Sequence, residues 1–501
     1  MKLVELVESL PGAEVDSPSP KPNRDSNSNR ALSVARVESD SRRVVPGDLF
    51  VAIRGRKFDG FDHAAEAVSR GAVAVVSDRP APAGFPAPWI RHPEPRRALA
   101  LLAARVAGDP ASRLVLAGVT GTNGKTTTTT LLEAILKRRF GRAGFLGTVG
   151  YRTPARSVAA DRTTPEATVI QRLLAEMVAD GAKAAALEVS SHALSLDRVE
   201  GCRFDVAVFT NLTRDHLDFH GDMEGYYAAK RRLFEMRKPG AAGIVNVDDP
   251  YGRRLLAEAA PPMRGYSPSG DRADFIARSV SGDLSGTRLE VVHAAGSFRL
   301  VSPLAGRFNV ANLLAAAAAS VSLGIDAGEI AEAVAEVATV PGRFERVEAG
   351  QPYPILVDYA HTPDALERLL RAVRELTDRR IVLVFGCGGD RDKGKRAPMG
   401  EIAGRLADVA IATSDNPRSE DPEAILEEVA AGLRASGSTR HRLIVDRREA
   451  IGRAIALADA DEKTVVVIAG KGHETVQVIG SREIPFDDRS VAADFASHRA
   501  S

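Results

Sequence analysis

The sequence predicts an α/β protein with three domains, and three features of the chain support that prediction. The chain has 501 residues, which corresponds to about three domains at roughly 150 residues each. Apolar runs alternate with helical segments in two series, one starting near residue 113 and the other near residue 344, as in parallel sheets covered by helices. A glycine-rich segment follows the first apolar run. We expect a small N-terminal α/β domain at 1–109, a central parallel-sheet domain at 110–343 and a Rossmann-like domain at 344–501.

The expected N-terminal domain contains a short strand, helix and strand pattern. Residues 45–55 and 63–78 read VPGDLFVAIRG and HAAEAVSRGAVAVVSD, and these runs predict strand, helix and strand in that order. Residues 1–15 alternate charged and apolar side chains, so we expect an amphipathic helix rather than a signal peptide. Residues 16–30 are rich in turn-forming residues, which predicts a mobile surface loop.

The two later series supply the strands of the two larger sheets. In the central domain, apolar runs at residues 114–121, 184–190, 206–212 and 242–248 predict strands, and residues 125–139 predict a helix. In the C-terminal domain, the corresponding runs are residues 355–361, 381–389, 409–418, 442–446 and 464–474. A helix is expected after the third of these runs, with Asp421 as its N-cap and Pro422 in its first turn.

The composition argues against several classes of protein. The net charge is +1, so no overall field attracts the chain to nucleic acid or to an anionic membrane. The most apolar run, residues 313–325, is shorter than the 18 or so residues that a membrane span needs, and we expect a buried helix there. The two cysteines are far apart in sequence, which argues against disulfides and a structural zinc site. We expect a cytoplasmic monomer with no nucleic-acid or membrane partner.

The glycine-rich segment GVTGTNGKTT at residues 118–127 predicts a phosphate-binding loop. Glycines let backbone N–H groups surround phosphate oxygens at the start of a helix. Lys125 would reach the β- and γ-phosphates, and the hydroxyl of Thr126 would hold Mg²⁺. Val119 stands where the strict motif has its first glycine. The predicted ATP-binding residues are Gly121, Thr122, Asn123, Gly124, Lys125, Thr126 and Thr127.

Two further residues suggest a divalent metal site. Glu188 and His216 each follow the carboxyl end of a predicted strand, and open parallel sheets bind their ligands at that edge. A carboxylate and an imidazole can both coordinate a divalent cation. A capping or solvent-facing role for either residue remains the alternative at this point.

Seven segments of the chain carry a resemblance to one family. They are GVTGTNGKTT (118–127), TTP (163–165), EVSSHAL (188–194), NLTRDHLDFHG (211–221), GRFNVANLLAA (306–316), PGRFE (341–345) and DYAHTPDAL (358–366). Together they resemble the Mur ligases, which synthesise cell-wall precursors, in the order in which that family has them. The resemblance implies an ATP-dependent ligase in which a substrate carboxylate is phosphorylated and an amine then attacks the acyl phosphate.

The resemblance also implies roles for residues of the nucleotide site. Asn309, Arg343 and Asp358 would contact the nucleotide. The catalytic group would consist of Lys125, Glu188, His216 and Lys230, and Mg²⁺ would be held by Thr126, Glu188, His216 and Lys230. The family carries a carbamylated lysine at the position of Lys230, and a carbamate replaces a positive charge beside the metal with negative oxygens. Without the resemblance, Lys230 would be interpreted as a surface lysine.

Within the family, three segments resemble the members that add the third amino acid. They are SDSRRVVPGDLFVAIRG (39–55), DNPR (415–418) and GKGHE (470–474). The first substrate implied is UDP-N-acetylmuramoyl-L-alanyl-D-glutamate, with the N-terminal domain binding its UDP part. Its expected binding residues are Ser41, Thr163, Thr164, Ser190 and Arg198. Leu196 replaces a glutamine that some relatives carry, so one contact to this substrate is missing or replaced.

The identity of the added amino acid depends on Arg418. A guanidinium binds a carboxylate through two parallel hydrogen bonds, and meso-diaminopimelate has a distal carboxylate beside its distal amine. L-Lysine lacks that carboxylate and would leave a desolvated Arg418 unpaired. The predicted diaminopimelate-binding residues are Arg391, Asp415, Asn416, Pro417, Arg418, Gly470 and Glu474, with Glu474 facing the distal amine and Arg391 the other carboxylate.

Several other functions remain as alternatives. Three keep the ligase chemistry and change the substrate: the lysine-adding counterpart, the later step that adds D-alanyl-D-alanine, and folylpolyglutamate synthesis. The DNPR segment at 415–418 argues against all three. A phosphate-binding loop also occurs in ATPases that form no covalent product. That class normally needs sensor or arginine-finger elements, and we identify none in the sequence.

Overall fold

A computed structural model describes residues 1–16, 32–55, 58–270 and 272–497. The turn-rich loop expected at 16–30 lies outside these residues, apart from Asp16. The chain divides into two compact units. The first comprises Met1–Ile276, His293–Gly296 and Asn312–Ala333, and the second comprises Ala277–Val292, Ser297–Ala311 and Val334–Ser501.

The N-terminal part of the first unit is a five-stranded sheet. Its strands are β1 (Glu14–Asp16), β2 (Arg36–Glu38), β3 (Asp48–Val51), β4 (Ala74–Ser77) and β5 (Trp89–Arg91), in the order β1-β5-β4-β3-β2. All neighbours are parallel except β1 and β5. The helices are α1 (Leu3–Glu8), α2 (Ala64–Ser69) and α3 (Pro95–Val106). The predicted strand, helix and strand correspond to β3, α2 and β4, and α1 confirms the expected N-terminal helix.

The rest of the first unit is built on a second, largely parallel sheet. Its strands are β6 (Val115–Thr120), β7 (Ala143–Gly147), β8 (Gly150–Arg152), β9 (Ser157–Val158), β10 (Ala184–Glu188), β11 (Phe204–Phe209), β12 (Arg237–Asn246) and β13 (Met263–Ser267). Their order is β13-β12-β11-β6-β10-β7-β8-β9. Strands β6 and β10 lie in the middle of the sheet and are almost entirely buried, which explains why both sequences are continuous runs of apolar residues.

Helices connect the strands of this sheet. They are α4 (Lys125–Phe140), α5 (Ala167–Ala179), α6 (Ser191–Ser195), α7 (Leu217–His220), α8 (Met223–Glu235) and α9 (Pro250–Glu258). Helix α4 begins directly after Gly124, whose φ of 84° is in the left-handed region. Helix α8 begins at an Asp222 cap, whose side chain accepts a hydrogen bond from the backbone N–H of Gly225 at 2.8 Å. The start of α4 lies among the residues predicted to bind the nucleotide.

Several elements follow in the chain before the last sheet. They are the strands β14 (Phe275–Asp283), β15 (Gly286–His293) and β16 (Gly296–Ser302), and the helices α10 (Arg307–Ser322) and α11 (Ala327–Glu336). The division between the units passes through β14, β15, β16, α10 and α11. Helix α10 contains the Ala-rich run that was expected to be a buried helix, and Leu313 to Ala319 are fully enclosed.

The second unit contains a six-stranded sheet. Its strands are β17 (Glu345–Arg346), β18 (Ile355–Asp358), β19 (Arg380–Cys387), β20 (Val409–Ser414), β21 (His441–Leu443) and β22 (Thr464–Ala469), in the order β17-β18-β22-β19-β20-β21. All are parallel except β17. The hairpin β23 (Val476–Ile479) and β24 (Arg482–Pro485) stands apart from this sheet.

Helices cover both faces of that sheet. They are α12 (Pro363–Leu376), α13 (Arg396–Leu406), α14 (Pro422–Ala435), α15 (Arg447–Ala460) and α16 (Asp488–Ser497), and they enclose two separate apolar clusters. The predicted Asp421 cap is confirmed, because its side chain accepts a hydrogen bond from the N–H of Glu423 at 3.0 Å. No helix among the described residues is long and apolar enough to span a bilayer.

The α/β class predicted from the sequence is confirmed, and each predicted strand run corresponds to a strand. The first unit contains both the N-terminal and the central sheet. The domain limits expected at residues 109 and 343 stay a prediction.

Candidate functional site

The phosphate-binding loop, residues 118–127, requires glycine at two positions. Gly121 and Gly124 have φ values of 152° and 84°, which residues with side chains rarely adopt. A Cβ at Gly121 would overlap the hydroxyl of Thr210, and one at Gly124 would overlap the amide oxygen of Asn312. The close packing of these neighbours shapes the loop that leads into α4.

The segment after β11 supports this loop from one side. The backbone N–H of Asn123 donates to Asn211 Oδ1 at 3.0 Å, and the Asn123 carbonyl accepts from Thr210 Oγ1 at 2.6 Å. The N–H of Thr213 donates to Thr122 Oγ1 at 3.0 Å. The sequence analysis missed these supporting residues. Their position directly after a buried strand was the signal that could have identified them.

The side chain of Lys125, the first residue of α4, folds back onto the phosphate-binding loop. Its Nζ donates to the carbonyl oxygens of Gly121 and Thr122 at 2.8 and 2.9 Å. The ammonium group therefore lies on the same side of the loop as the residues predicted to surround phosphate oxygens. Its role toward the β- and γ-phosphates stays a prediction.

Glu188, the last residue of β10, connects two sets of predicted residues. Its Oε2 accepts hydrogen bonds from Thr126 Oγ1 at 3.0 Å and from Thr148 Oγ1 at 3.1 Å, and its Oε1 accepts from the Thr148 N–H at 2.8 Å. Thr148 Oγ1 also lies 3.0 Å from Thr163 Oγ1. Glu188 is 1% exposed. All three of these donors are neutral groups, two threonine hydroxyls and one backbone N–H.

Lys230 is an enclosed lysine on α8 and not the surface residue of the alternative interpretation. It is 1% exposed, its Nζ donates to the Gly121 carbonyl at 2.7 Å, and it lies 4.5 Å from the ring centroid of Tyr226. Burial, together with the charge of Lys125, lowers the pKa of Lys230 well below its usual value. The side chain therefore has an increased fraction of neutral, nucleophilic amine.

His216 belongs to a cluster of aromatic rings beside the same loop. It adopts a φ of 52° at the start of α7, and its ring lies 4.8 Å from that of His192. Burial lowers the pKa of His216, and Lys125 and Lys230 lower it further. Burial likewise lowers the pKa of His192 to about 4. Both imidazoles are therefore neutral near pH 7, the form in which histidine binds metals.

The magnesium ligands stay a prediction that rests on the kinds of donor present. The described residues contain no group of three or more His, Cys, Asp or Glu side chains arranged to hold a metal. Of the four predicted ligands, only Glu188 and His216 belong to these residue types. The other two are the hydroxyl of Thr126 and the carbamate expected on Lys230. The Glu188 carboxylate, bonded to the Thr126 hydroxyl, and the neutral His216 imidazole are donors of the kinds that bind divalent cations.

Four of the five residues predicted to bind the UDP substrate lie near the Glu188 end of β10. Thr164 Oγ1 donates to the Glu188 carbonyl at 2.8 Å and accepts from the Ser190 N–H at 3.0 Å. Arg198 Nη1 donates to the Thr164 carbonyl at 3.1 Å. Thr163 reaches Glu188 through Thr148, as described above. The fifth residue, Ser41, lies just after β2 in the N-terminal part, where its hydroxyl donates to Glu66 at 3.0 Å.

The remaining predicted nucleotide residues belong to the second unit. Asp358 accepts hydrogen bonds from the N–H groups of Phe344 and Ala360 at 2.7 and 2.8 Å. Burial raises the pKa of Asp358, while Arg343 opposes that increase. Asn309 Nδ2 donates to the Ala305 carbonyl at 2.8 Å. Arg343 and Asp358 are thus close enough to interact electrostatically.

The DNPR segment, residues 415–418, follows β20 and is held against neighbouring loops. Asn416 Nδ2 donates to Glu474 Oε2 at 2.8 Å. Arg418 has a φ of 52°, and its Nη1 donates to the Gly389 carbonyl at 2.8 Å. The structure thus places Asn416, Arg418 and Glu474, three predicted diaminopimelate residues, in the loops after β20 and β22 of the six-stranded sheet.

The other predicted members of this group lie in or next to these loops. A Cβ at Gly470 would come within 2.8 Å of Asp415 Oδ2, so these two residues pack directly together. The Pro417 carbonyl approaches Gly389. Arg391 is exposed on the loop after β19, near Gly388.

The sequence analysis missed the hairpin that supports Arg418. The Arg418 N–H donates to the Val478 carbonyl at 3.0 Å, and the Gly480 N–H donates to the Arg418 carbonyl at 2.7 Å. Strand β23 and the turn after it therefore bond to both the N–H and the carbonyl of Arg418. No local sequence pattern indicates that a short hairpin would pair with the DNPR segment.

Three family models match the chain in sequence order. They are described as "Mur ligase family, catalytic domain" at residues 33–107, "Mur ligase middle domain" at 119–320 and "Mur ligase, glutamate ligase domain" at 342–472. Together they include both the phosphate-binding loop and the DNPR segment.

Proteins with similar sequences and structures carry related names. A Geobacillus thermodenitrificans protein named UDP-N-acetylmuramoyl-L-alanyl-D-glutamate--2,6-diaminopimelate ligase is 46% identical over 499 residues, covering 98% of each chain. A solved structure of a protein with the same name has a TM-score of 0.70 and 34% identity, covering 96% of this chain and 98% of the other. The MurF ligase from Thermotoga maritima in complex with ADP shares the fold, with a TM-score of 0.60 and 20% identity, covering 93% of this chain and 98% of its own.

Proposed function

The chain belongs to the Mur ligase family, with that family's three-domain architecture, and we propose that it adds meso-2,6-diaminopimelate to UDP-N-acetylmuramoyl-L-alanyl-D-glutamate. It is an ATP-dependent, amide-bond-forming ligase of peptidoglycan precursor synthesis. Its curated relatives are named as diaminopimelate ligases that act on UDP-N-acetylmuramoyl-L-alanyl-D-glutamate. The structural observation that supports the choice of amino acid lies at the carboxyl end of β20, where Asn416 bonds to Glu474 and Arg418 donates to the carbonyls of Gly389 and Asn416. This region offers a cation to a distal carboxylate and an anion to a distal amine.

The reaction begins with phosphoryl transfer from ATP. The D-glutamate carboxylate attacks the γ-phosphorus, the bond to the bridging oxygen breaks, and ADP leaves with the electron pair of that bond. The backbone N–H groups of residues 121–127 surround the phosphates, and Lys125 neutralises charge on the β- and γ-oxygens. Such transfer depends mainly on positioning and charge neutralisation, and this loop supplies both.

The second step forms the amide. The reacting amine of diaminopimelate attacks the acyl carbon, a tetrahedral intermediate forms, and inorganic phosphate leaves as the amine loses a proton. Thr163, Thr164, Ser190 and Arg198 are proposed to hold the dipeptide end of the UDP substrate, and Ser41 its UDP part. The hydrogen bonds that join Thr163 and Thr164 to Glu188 support this assignment, because they link the acceptor side to the nucleotide side.

Thr126, Glu188, His216 and a carbamylated Lys230 are the residues proposed to hold Mg²⁺. When bound, the ion neutralises phosphate charge during transfer. Burial of Lys230 and its lowered pKa support the carbamate, because a neutral amine can attack carbon dioxide and lose a proton. The product carries a negative charge where an ammonium group would repel the metal.

The second unit is proposed to contribute to both remaining ligands. Asn309, Arg343 and Asp358 would contact the nucleotide. Asp415, Asn416, Pro417, Arg418, Gly470 and Glu474 would hold the distal end of diaminopimelate, and Arg391 its other carboxylate. We place the reaction in the cytoplasm, where ATP is available, and propose a monomer with no nucleic-acid or membrane partner.

The test of this function is an omission experiment. Release of ADP is measured with all components, and then with each substrate left out in turn. We expect ADP release only when the UDP-dipeptide and diaminopimelate are both present, with a product heavier by one diaminopimelate residue. Turnover without either substrate would identify a simple ATPase. Equal use of L-lysine would contradict the role of Arg418.

A further inference from the structure

Lys471, in the loop after β22, is a fully enclosed lysine that the proposed mechanism does not use. Its exposure is 0%. Its Nζ donates to Asn416 Oδ1 at 3.1 Å, to Glu474 Oε2 at 3.1 Å and to the Val476 carbonyl at 2.6 Å. An ammonium group has three N–H donors, and here each one has an acceptor. Burying a charge is costly unless it is paired in this way, so its position is tightly constrained.

The backbone that follows Lys471 packs closely against neighbouring segments. A Cβ at Gly472 would come within 2.7 Å of Tyr359 Cβ and within 2.9 Å of the Gly342 carbonyl. A Cβ at Gly342 would overlap the backbone N–H of His473. Both glycines have positive φ values, 54° and 65°. The backbone directly after Lys471 is therefore closely packed, and the Lys471 side chain bonds to Asn416.

Lys471 determines which way the amide of Asn416 faces. Asn416 Oδ1 accepts from Lys471 Nζ and also from the Val478 N–H at 2.9 Å. Because both neighbours are donors, the amide oxygen must face them, and the NH₂ group must face Glu474. The observed 2.8 Å hydrogen bond from Asn416 Nδ2 to Glu474 Oε2 follows from that orientation.

The same arrangement fixes the carboxylate of Glu474. Its Oε2 receives hydrogen bonds from both Lys471 and Asn416, and the Tyr359 hydroxyl also bonds to this side chain. A glutamate has three rotatable bonds, and holding it in one orientation before a ligand binds removes an entropic cost of binding. Glu474 is thus preorganised by groups that lie behind it.

We propose that Lys471 is a positioning residue: it orients Asn416 and, together with Asn416, holds the Glu474 carboxylate that recognises the distal amine of the amino-acid substrate. This inference rests on the proposed function, because it takes diaminopimelate as that substrate. Lys471 does not touch the substrate in this account. Its effect is transmitted through the two side chains that it holds, so its loss weakens discrimination for the amine more than it weakens binding of the carboxylate at Arg418.

The test replaces Lys471 with methionine, which keeps the length of the side chain and removes its charge and donors. The probe is L-2-aminopimelate, which retains the reacting amine and both carboxylates but lacks the distal amine. The ratio of kcat/KM for diaminopimelate to that for 2-aminopimelate is measured in both proteins. Lys463→Met is the matched control, because Lys463 precedes the same strand, β22, and is exposed.

We expect Lys471→Met to reduce this ratio about tenfold or more, the effect of losing charge-assisted hydrogen bonds behind a recognition group. The KM for ATP should stay within about twofold of wild type, as expected for a change confined to one subsite. Lys463→Met should leave the ratio unchanged. If Lys471→Met lowers kcat/KM for diaminopimelate and for 2-aminopimelate by the same factor, the ratio is preserved. That result would overturn the inference and identify a merely structural lysine.

Two further measurements keep the inference testable. If Lys471→Met does not fold, Lys471→Gln and a crystal structure of the wild-type protein soaked with diaminopimelate replace it. A distal amine bound to Glu474, with Lys471 still bonded to Oε2, supports the proposal, and an amine elsewhere overturns it. Wild-type protein with no preference for diaminopimelate over 2-aminopimelate also overturns it. Failure of the proposed function is a distinct result, in which the wild type joins neither compound to the UDP-dipeptide.

Discussion

The hydroxyl of Thr126 donates a hydrogen bond to the carboxylate of Glu188 across 3.0 Å. Thr126 is the second residue of helix α4, and Glu188 is the last residue of strand β10. The same carboxylate bonds to Thr148, which lies 3.0 Å from Thr163. Glu188 therefore connects the residues proposed to bind ATP with those proposed to bind the acceptor substrate, and we propose that phosphoryl transfer takes place beside it.

Glu188→Gln tests that connection. The amide keeps the size of the side chain and removes its charge, so we expect kcat to fall about 100-fold or more, the scale of losing one preorganised electrostatic contact. The melting temperature should change little. Steady-state ADP release gives kcat, and Glu375→Gln, at an exposed position on α12, is the control. Turnover within a few-fold of wild type would show that the Glu188 charge is not needed.

Lys230→Ala tests the carbamate. Removing the side chain removes the proposed metal-binding oxygens, so turnover should fall to a small fraction of wild type. Formate, acetate or propionate should restore part of it, because a small carboxylate can occupy the space and supply oxygens. Lys137→Ala, which changes an exposed lysine on α4, is the control. It should keep wild-type turnover, and small carboxylates should not change that turnover. In Lys230→Ala, turnover like that of the wild type would remove Lys230 from the site.

Arg418→Ala tests the recognition of the distal carboxylate. Losing a charge-assisted pair costs about 1.5–3 kcal/mol, so the KM for diaminopimelate should rise about tenfold to a hundredfold. The KM for ATP should change little. Arg418→Lys keeps the charge without the two parallel hydrogen bonds and should recover only part of the loss. Unchanged kinetics for the amino acid in Arg418→Ala would refute this assignment.

His473→Gln tests a pH dependence of stability. Burial, with Arg343 and Arg489 adding to it, lowers the pKa of His473 to about 4 from its usual 6.5. Between these values the unfolded chain binds the proton and the folded chain does not, so stability falls as the pH is lowered through this window. The variant should lose less stability than wild type between pH 6.5 and 4, measured by urea unfolding. Parallel loss in both proteins would contradict this interpretation.

The parts of the site that sequence could predict are those encoded in a continuous segment. The phosphate-binding loop and Glu188 were identified because each follows an apolar run, and the end of a parallel strand is where ligands bind. The strands themselves were predicted because buried parallel strands are continuous apolar runs. The structure agrees with these predictions at β6, α4 and β10.

The parts that could not be predicted depend on contacts between distant segments. Thr148 reaches Glu188 from 40 residues away, and Lys471 reaches Asn416 from 55 residues away. Burial of Lys230 likewise depends on the packing of α8 against the loop at Gly121. A lysine in a polar sequence predicts exposure, and only the folded arrangement shows that Lys230 and Lys471 are enclosed.

The most direct test of the central claim follows an oxygen atom. The UDP-dipeptide is labelled with ¹⁸O in the D-glutamate carboxylate and incubated with ATP and diaminopimelate, and the released phosphate is analysed by mass spectrometry. An acyl phosphate predicts one ¹⁸O atom in each phosphate, because the carboxylate oxygen that attacks phosphorus leaves with it. Phosphate without the label, its fourth oxygen derived from water, would contradict the account and indicate ATP hydrolysis that is not coupled to amide formation.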